Sequence, residues 1–180
     1  ERIKFKVHGG WQDFYGTAFG GFKWIILNRY KNKVESLKID EKTSDKIEKY
    51  LIFFKFGHRR SSSSIQKHNL SNNSKVSEIK KMNQISLNLK KFLKKKQIIK
   101  FFKELNKSWK LKKIISPISI NKKILNAEKI SKKNGAISYK VLGAGQSGYF
   151  MVCAEPKNHK KIIYNLKRYN FKLENIKFAK

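Results

Sequence analysis

The sequence contains little that would support a disulfide framework, a metal centre or a membrane span. Cys153 is the single cysteine among 180 residues, so neither a disulfide nor a cysteine-based zinc site can form within one chain. The four histidines show neither the HxxxH nor the HExxH spacing of metal sites. No apolar run approaches the ~20 residues that cross a bilayer, and no signal-peptide pattern is present. We therefore expect a cytoplasmic protein from a reducing compartment.

Acidic residues are also scarce, and this scarcity makes the chain strongly basic. Lys and Arg total 43 against 12 Asp and Glu, which gives a formal net charge of +31. Such a charge is typical of nucleic-acid-binding proteins, so a basic nucleic-acid-binding module is the alternative function. Arginine, the usual reader of base edges, is rare, and the lysines are spread along the chain. We expect most lysines to form solvated helix faces, and we expect neither nucleic acid nor a membrane as the partner.

The apolar residues, 39% of the chain, are sufficient for a buried core and predict an α+β fold. Alternating or continuous apolar runs predict strands at 2–7, 22–28, 33–39, 51–56, 136–142, 149–154 and 171–178. Three- and four-residue spacing predicts helices at 13–18, 41–51, 76–116, 119–134 and 156–169. Ser119 is the predicted cap of the helix that ends near Asn134. Strands that surround helices in this order fit an antiparallel sheet with packed helices.

The segment from His8 to Phe22 places one carboxylate, Asp13, among aromatic residues and glycines. Desolvation raises the pKa of such an acid and a nearby cation lowers it, so either environment can produce a working base. Aspartate before a short helix is also a favoured N-cap residue. The residues alone leave both roles open.

Two further segments have the composition of anion sites but also have simpler interpretations. The segment from Gly57 to Ser64 is either a flexible serine linker or a strand-to-helix junction whose hydroxyls, amides and arginines hold an anion. The segment Gly143-Ala144-Gly145-Gln146-Ser147-Gly148 has GxGxxG spacing. A dinucleotide-binding loop requires a helix directly afterwards, whereas residues 149–154 predict a strand. A tight hairpin turn and a nest of backbone amides remain possible there.

Four colinear segments resemble the GHMP kinases. Residues 135–156 are similar to the C-terminal glycine motif of that superfamily. Gly10-Trp11-Gln12-Asp13 with the glycine pair after it resembles the Gly-x-Gln-Asp-Gln segment of the superfamily. Residues 53–64 resemble its strand-then-Arg-Ser segment, and residues 108–116 resemble its Ser-Trp-x-x-Lys-Lys helix. The greatest similarity is to the sugar 1-kinases typified by D-glycero-D-manno-heptose 7-phosphate kinase and by the kinase half of L-fucokinase.

This resemblance implies the fold and the domain organisation. Residues 1–41 would end an S5-like N-terminal domain, with the catalytic Asp segment and a hairpin. Residues 42–180 would form the C-terminal domain, a ferredoxin-like antiparallel sheet with packed helices. The ATP loop of the family and its acidic magnesium ligand would lie upstream of residue 1. We therefore expect a C-terminal half that is inactive alone and holds no metal ligand.

The resemblance also implies a reaction and a set of site residues. The reaction is ATP-dependent transfer of the γ-phosphate, with Mg²⁺, to the anomeric hydroxyl of a sugar or of a sugar phosphate like heptose 7-phosphate. Asp13 matches the catalytic base. The implied substrate-binding residues are Gly10, Trp11, Gln12, Arg60 and Ser61, and the glycine loop that supports the site is represented by Gly143, Ala144, Gly145 and Gly148. Phe14 stands where the family usually has Gln.

Overall fold

The structure is a computed structural model that describes residues 15–16, 18–28, 31–57, 76–145 and 147–178. Its strands are β1 (Lys23–Ile26), β2 (Lys33–Ser36), β3 (Leu51–Phe56), β4 (Ala136–Gly145), β5 (Ser147–Ala154) and β6 (Lys172–Glu174). Its helices are α1 (Glu41–Tyr50), α2 (Val76–Lys94), α3 (Ile98–Ile115), α4 (Lys122–Lys133) and α5 (Pro156–Lys167). The predicted strand at 2–7 lies outside the described residues. No helix in the described ranges has the length and apolarity needed to cross a bilayer.

The strands form two antiparallel sheets. β1 and β2 make a hairpin, and the larger sheet has the order β4-β5-β3-β6. β3 is central, because Phe54 pairs with Phe150 of β5 on one side and with Leu173 of β6 on the other. An antiparallel sheet covered by helices confirms the predicted α+β class.

Helices cover both faces of the larger sheet, and successive side chains of β3 enter different cores. Phe54 and Phe56 pack with Trp109 of α3 in one buried cluster. Phe53 packs with Ile47 of α1 and Phe102 of α3 in the other. Since side chains alternate along a strand, burial on both faces explains why Leu51 to Phe54 is continuously apolar.

The helical pattern predicted from 76 to 116 is divided between α2 and α3. The chain reverses at Lys96, whose φ of +57° is left-handed. The Lys96 amide donates to the Leu93 carbonyl at 3.0 Å, and the Gln97 amide donates to the Phe92 carbonyl at 2.9 Å. These bonds form a Schellman motif, in which glycine is the usual left-handed residue. The sequence did not predict this end of α2, because lysine rather than glycine occupies the left-handed position.

Two predicted boundaries are wrong in detail. Asn121, not Ser119, caps α4, because its side-chain oxygen accepts the Ile124 amide at 2.9 Å. Ser119 instead ends a short 3₁₀ turn, Pro117–Ser119, where its hydroxyl donates to the Ser116 carbonyl at 2.6 Å. The predicted strand at 171–178 is reduced to β6, since the chain then leaves the sheet and the Phe178 amide donates to the Glu48 carboxylate at 2.9 Å.

Two lysines of α2 fasten the β1–β2 hairpin to that helix, and Lys94 forms the longer of their two ion pairs with Glu35, at 3.7 Å. Lys90 forms an ion pair with Glu35 at 2.8 Å, and its ammonium lies 4.8 Å from the centroid of the Trp24 ring. Leu37, which follows β2, is buried in the same cluster as Phe102. A domain boundary near residue 41 remains a prediction.

Candidate functional site

Only part of the predicted site lies within the described residues. Asp13 and the residues predicted to bind substrate, namely Gly10, Trp11, Gln12, Arg60 and Ser61, lie outside them. The described part is the glycine hairpin, by which we mean residues 143–148 at the junction of β4 and β5. Gly143, Gly145, Gly148 and the backbone of Ala144 are described there.

The glycine hairpin is more strand-like than predicted. β4 extends to Gly145 and β5 begins at Ser147, and these two residues pair across the connection. The register shifts between Leu142 and Gly145, which marks a bulge. Of the interpretations left open by the sequence, the described backbone corresponds to the tight hairpin turn.

Gly145 allows the hairpin to pack closely on the 3₁₀ turn that precedes α4. A Cβ added at Gly145 would lie 2.5 Å from the Ser119 carbonyl oxygen and 2.8 Å from its Cα. The backbone at Gly145 also has φ of +106°, which side chains rarely tolerate. By contrast, an added Cβ at exposed Gly143 would meet nothing within 4 Å. Gly145 therefore allows close packing against Ser119, whereas the space beside Gly143 is unoccupied by the described residues.

The Ser-Trp-x-x-Lys-Lys motif lies on α3 and fastens that helix to α4. The indole N–H of Trp109, which is 1% exposed, donates to Glu128 Oε1 at 2.8 Å. Lys113 donates to the other oxygen of Glu128 at 2.6 Å. Glu128 is a partner of the motif that sequence reasoning missed. Its signal was its position as the sole acid of α4.

Lys112 of the same motif reaches the glycine hairpin. Its ammonium donates to the Gly143 carbonyl at 2.5 Å and lies 5.8 Å from the centroid of the Trp109 ring. Burial, together with the smaller effect of the positive charge of Lys140, lowers the pKa of Lys112 to about 8. Two segments that were separate in the sequence thus meet at one point, where a half-buried cation holds the glycine hairpin.

Lys140 of β4 and Cys153 of β5 lie in the two strands that the glycine hairpin connects. Burial lowers the pKa of Lys140, which pairs with Met151 across the strands. Burial raises the pKa of Cys153 to about 12, although the Ser138 hydroxyl and Lys140 act in the opposite direction. Cys153 therefore remains a thiol at neutral pH and has the properties of a core residue rather than a nucleophile.

The described side chains position the hairpin but do not supply a complete chemical centre. Within the described ranges, no group of three or more His, Cys, Asp or Glu residues is placed to hold a metal ion. The arrangement provides a cation, a glycine hairpin and a Trp–Glu–Lys network.

Comparison with known proteins shows which proteins this chain resembles. No family model matches the chain. Structures with the same fold include a Campylobacter jejuni protein described as a sugar kinase (TM-score 0.72, 27% identity, 100% of this chain and 52% of that chain). The fold is also shared with L. major mevalonate kinase (TM-score 0.70, 17% identity, 92% of this chain and 51% of that chain). The chain is thus similar to kinases of the GHMP superfamily and has the fold of their C-terminal domain.

Within that superfamily, the sequence is similar to a curated relative. This relative is the D-glycero-alpha-D-manno-heptose 7-phosphate kinase of Campylobacter jejuni, which is 27% identical over 186 residues and is matched by 100% of this chain. A D-glycero-D-manno-heptose 1-phosphate kinase from Bacteroides thetaiotaomicron shares the fold (TM-score 0.71, 22% identity, 99% of this chain and 49% of that chain). The chain spans about half the length of the curated relative, 54%.

Proposed function

We propose that the chain is the C-terminal half of an ATP-dependent sugar kinase of the cytoplasm. The proposed acceptor is the anomeric hydroxyl of a sugar or of a sugar phosphate like heptose 7-phosphate. The observation that carries the proposal is the match to a heptose 7-phosphate kinase along the entire chain. The contact of Lys112 with Gly143 supports it, because it joins the two motifs of this half that the structure describes.

In the proposed reaction, Asp13 accepts the proton of the anomeric hydroxyl. The hydroxyl oxygen forms a bond to the γ-phosphorus while the bond from that phosphorus to the bridging oxygen of ADP breaks. Positioning and charge stabilisation supply most of the acceleration in phosphoryl transfer, so the protein needs little covalent chemistry. Gly10, Trp11 and Gln12 are proposed to position the sugar, and Arg60 with Ser61 to bind a phosphate that it already carries.

ATP and Mg²⁺ are the proposed cofactors, and ATP supplies the phosphoryl group. The described residues contain no acid cluster that fits Mg²⁺, so we assign none of them to the metal. The glycine hairpin fits a supporting role, because Gly145 is packed on Ser119 while the backbone at Gly143 is open to a neighbouring segment. We accordingly propose that this chain alone is inactive.

The proposal is tested with protein expressed from the complete reading frame that contains this chain. The protein is incubated with ATP, Mg²⁺ and heptose 7-phosphate, and proton-coupled ³¹P NMR identifies the carbon that carries the new phosphate. We expect phosphorylation at the anomeric carbon and a fall in kcat of about 10²- to 10⁴-fold in Asp13→Asn.

Asp45→Asn on α1 is the matched control, because it makes the same chemical change outside the proposed site. Equal turnover by Asp13→Asn and the parent protein would remove Asp13 from the mechanism. Transfer to a different hydroxyl would contradict the proposed position. Failure to phosphorylate any sugar or sugar phosphate would contradict the kinase proposal itself.

A basic nucleic-acid-binding module is the second candidate, and the net charge of +31 is the observation that favours it. Binding to duplex and single-stranded nucleic acid is measured between 50 and 200 mM salt. Tight binding that weakens by orders of magnitude over this range would support the candidate. Weak binding with a shallow salt slope would contradict it.

A further inference from the structure

Lys112 is a partly buried cation that has no carboxylate partner among the described residues. None of the ion pairs in those ranges includes it, whereas the adjacent Lys113 pairs with Glu128 at 2.6 Å. The charge on β4 that acts on Lys112 is that of Lys140, which is also positive. Buried charges are normally paired, because their loss of hydration is otherwise uncompensated. The unpaired charge of Lys112 therefore needs an explanation.

Packing alone does not require a charge at this position. The aliphatic part of a lysine can cover apolar surface, but methionine would do the same without a desolvated ammonium. The Lys112 ammonium lies 5.8 Å from the centroid of the Trp109 ring, near the limit of about 6 Å for a cation–π interaction. The lowered pKa of Lys112, about 8, means that its surroundings disfavour the ammonium form. The folded chain therefore gains no stability from this positive charge.

The Lys112 ammonium has hydrogen-bond donors to offer to a ligand. It carries three N–H donors, and among the described residues one of them is used, by the Gly143 carbonyl at 2.5 Å. That bond also holds the ammonium at the glycine hairpin, so less side-chain entropy is lost when a ligand binds. Two donors of a positioned cation thus remain for an acceptor outside the described residues.

The glycine hairpin has an unoccupied side at the residue that Lys112 contacts. Gly143 is exposed, and a Cβ added to it would meet nothing within 4 Å among the described residues. At Gly145, by contrast, an added Cβ would lie 2.5 Å from the Ser119 carbonyl oxygen. A ligand can therefore approach the backbone at Gly143, next to the ammonium, but not at Gly145.

We propose that Lys112 binds a phosphate group of a ligand that lies beside Gly143. A lysine ammonium is a common partner of phosphate, and hydrogen bonds between ionised groups are shorter and stronger than those between neutral groups. The inference deepens the proposed kinase function and rests on it for the two sources of phosphate, which are ATP and a sugar phosphate. Binding is measured without turnover, so failure of this inference and failure of the kinase proposal are separate results.

The test measures binding by calorimetry in protein expressed from the complete reading frame that contains this chain. The phosphate-bearing probes are ATP, heptose 7-phosphate and inorganic pyrophosphate, and adenosine and heptose are the counterparts without phosphate. In Lys112→Met, we expect the Kd of at least one phosphate-bearing probe to rise by about 10- to 100-fold, because a charge-assisted hydrogen bond is lost. The Kd values of adenosine and heptose should stay unchanged.

The pattern across the probes identifies the source of the phosphate. Weaker binding of ATP but not of heptose 7-phosphate identifies the nucleotide as the ligand of Lys112. The opposite pattern identifies the phosphate that the sugar already carries. Weaker binding of both places the ammonium within reach of both ligands.

Lys110→Met is the matched control, because it removes the same charge from the same helix. Lys110 is exposed and lies two residues before Lys112, so the two side chains leave α3 on different sides. We expect this variant to bind every probe as the parent protein does.

The pH dependence of binding separates the charge of Lys112 from its packing. A phosphate monoester is mostly a dianion above about pH 7, so the charge of heptose 7-phosphate changes little at higher pH. If this ligand is the one that Lys112 binds, its affinity should fall as the pH rises through about 8, since the neutral amine attracts the dianion less. In Lys112→Arg the guanidinium stays charged, so binding should be retained and should fall less. The same fall in both proteins would contradict a role for the charge.

The proposal is overturned if Lys112→Met binds every phosphate-bearing probe as tightly as the parent, or if none of these probes binds the parent. It is also overturned if adenosine or heptose loses affinity as strongly as its phosphorylated counterpart, because Lys112 would then only hold the hairpin in place. Equal weakening in Lys110→Met would contradict it too, since the effect would report only the net charge. If Lys112→Met alone weakens binding while the parent phosphorylates no sugar, the phosphate site stands and the kinase function fails.

Discussion

Replacing Gly145 with alanine should destabilise the protein more than any other glycine-to-alanine change in the glycine hairpin. The φ of +106° is costly for a residue with a Cβ, by about 1–2 kcal/mol. The added methyl group would also lie 2.5 Å from the Ser119 carbonyl oxygen, which belongs to a buried backbone segment. Overpacking of this kind costs about 1–3 kcal/mol. The free energy of unfolding should therefore fall by about 2–5 kcal/mol.

Gly143→Ala provides the matched control. Gly143 also has a left-handed φ, +78°, but its added methyl group would meet nothing within 4 Å. Both variants gain the same stabilisation from a less flexible unfolded chain, so this contribution cancels in the comparison. The difference between them isolates the contact with Ser119 and should be about 1–3 kcal/mol.

Urea unfolding followed by tryptophan fluorescence measures both variants, because Trp109 is buried in the core next to the hairpin. Parallel slopes in urea are required for the comparison of midpoints. Equal destabilisation of the two variants would refute the reasoning, since it would mean that the hairpin moves away from the 3₁₀ turn at no cost.

Two further predictions concern the network behind the hairpin. Glu128→Ala should cost about 1–3 kcal/mol because it leaves the buried indole N–H of Trp109 unpaired. Lys113→Met should cost about 1 kcal/mol or less, because it removes only the more exposed ion pair with Glu128, and urea unfolding should show this order. For Lys112, the pKa of about 8 lies below its ordinary value of 10.5, so the unfolded chain binds more protons and stability should rise between pH 8 and 10.5. Lys112→Met should reduce this rise in pH-dependent unfolding, and an unchanged pH profile would place the ammonium in solvent.

Local sequence patterns were sufficient to predict most of the strands and helices. The apolar runs at 22–28, 33–39 and 51–56 predicted β1, β2 and β3. The helix predicted from residue 156 is α5, which begins at Pro156, as proline has no amide to leave unpaired there. These features depend on neighbours along the chain, which the sequence contains in full.

The predictions were wrong where the conformation of a residue is set by contacts with residues distant in sequence rather than by its own conformational preference. Lys96 adopts a left-handed turn that the packing of α2 against α3 requires, although glycine is the usual residue there. Ser119 is a reasonable cap by composition, yet Gly145 packs on it from another part of the chain and Asn121 takes the capping position. The length of β6 depends on where Phe178 packs against Phe22, with ring centroids 5.6 Å apart.

The sequence by itself determined the α+β class and the resemblance to the GHMP kinases, because four colinear motifs and the order of strands and helices are present before any coordinates are known. The catalytic role of Asp13 is likewise a prediction from the sequence, and Asp13 lies outside the described residues. The tertiary structure alone decided which residues meet. Folding brings Lys112 to Gly143, Glu128 to Trp109, and Lys55 opposite Lys172. Such contacts depend on register and helix packing, which join positions far apart in sequence.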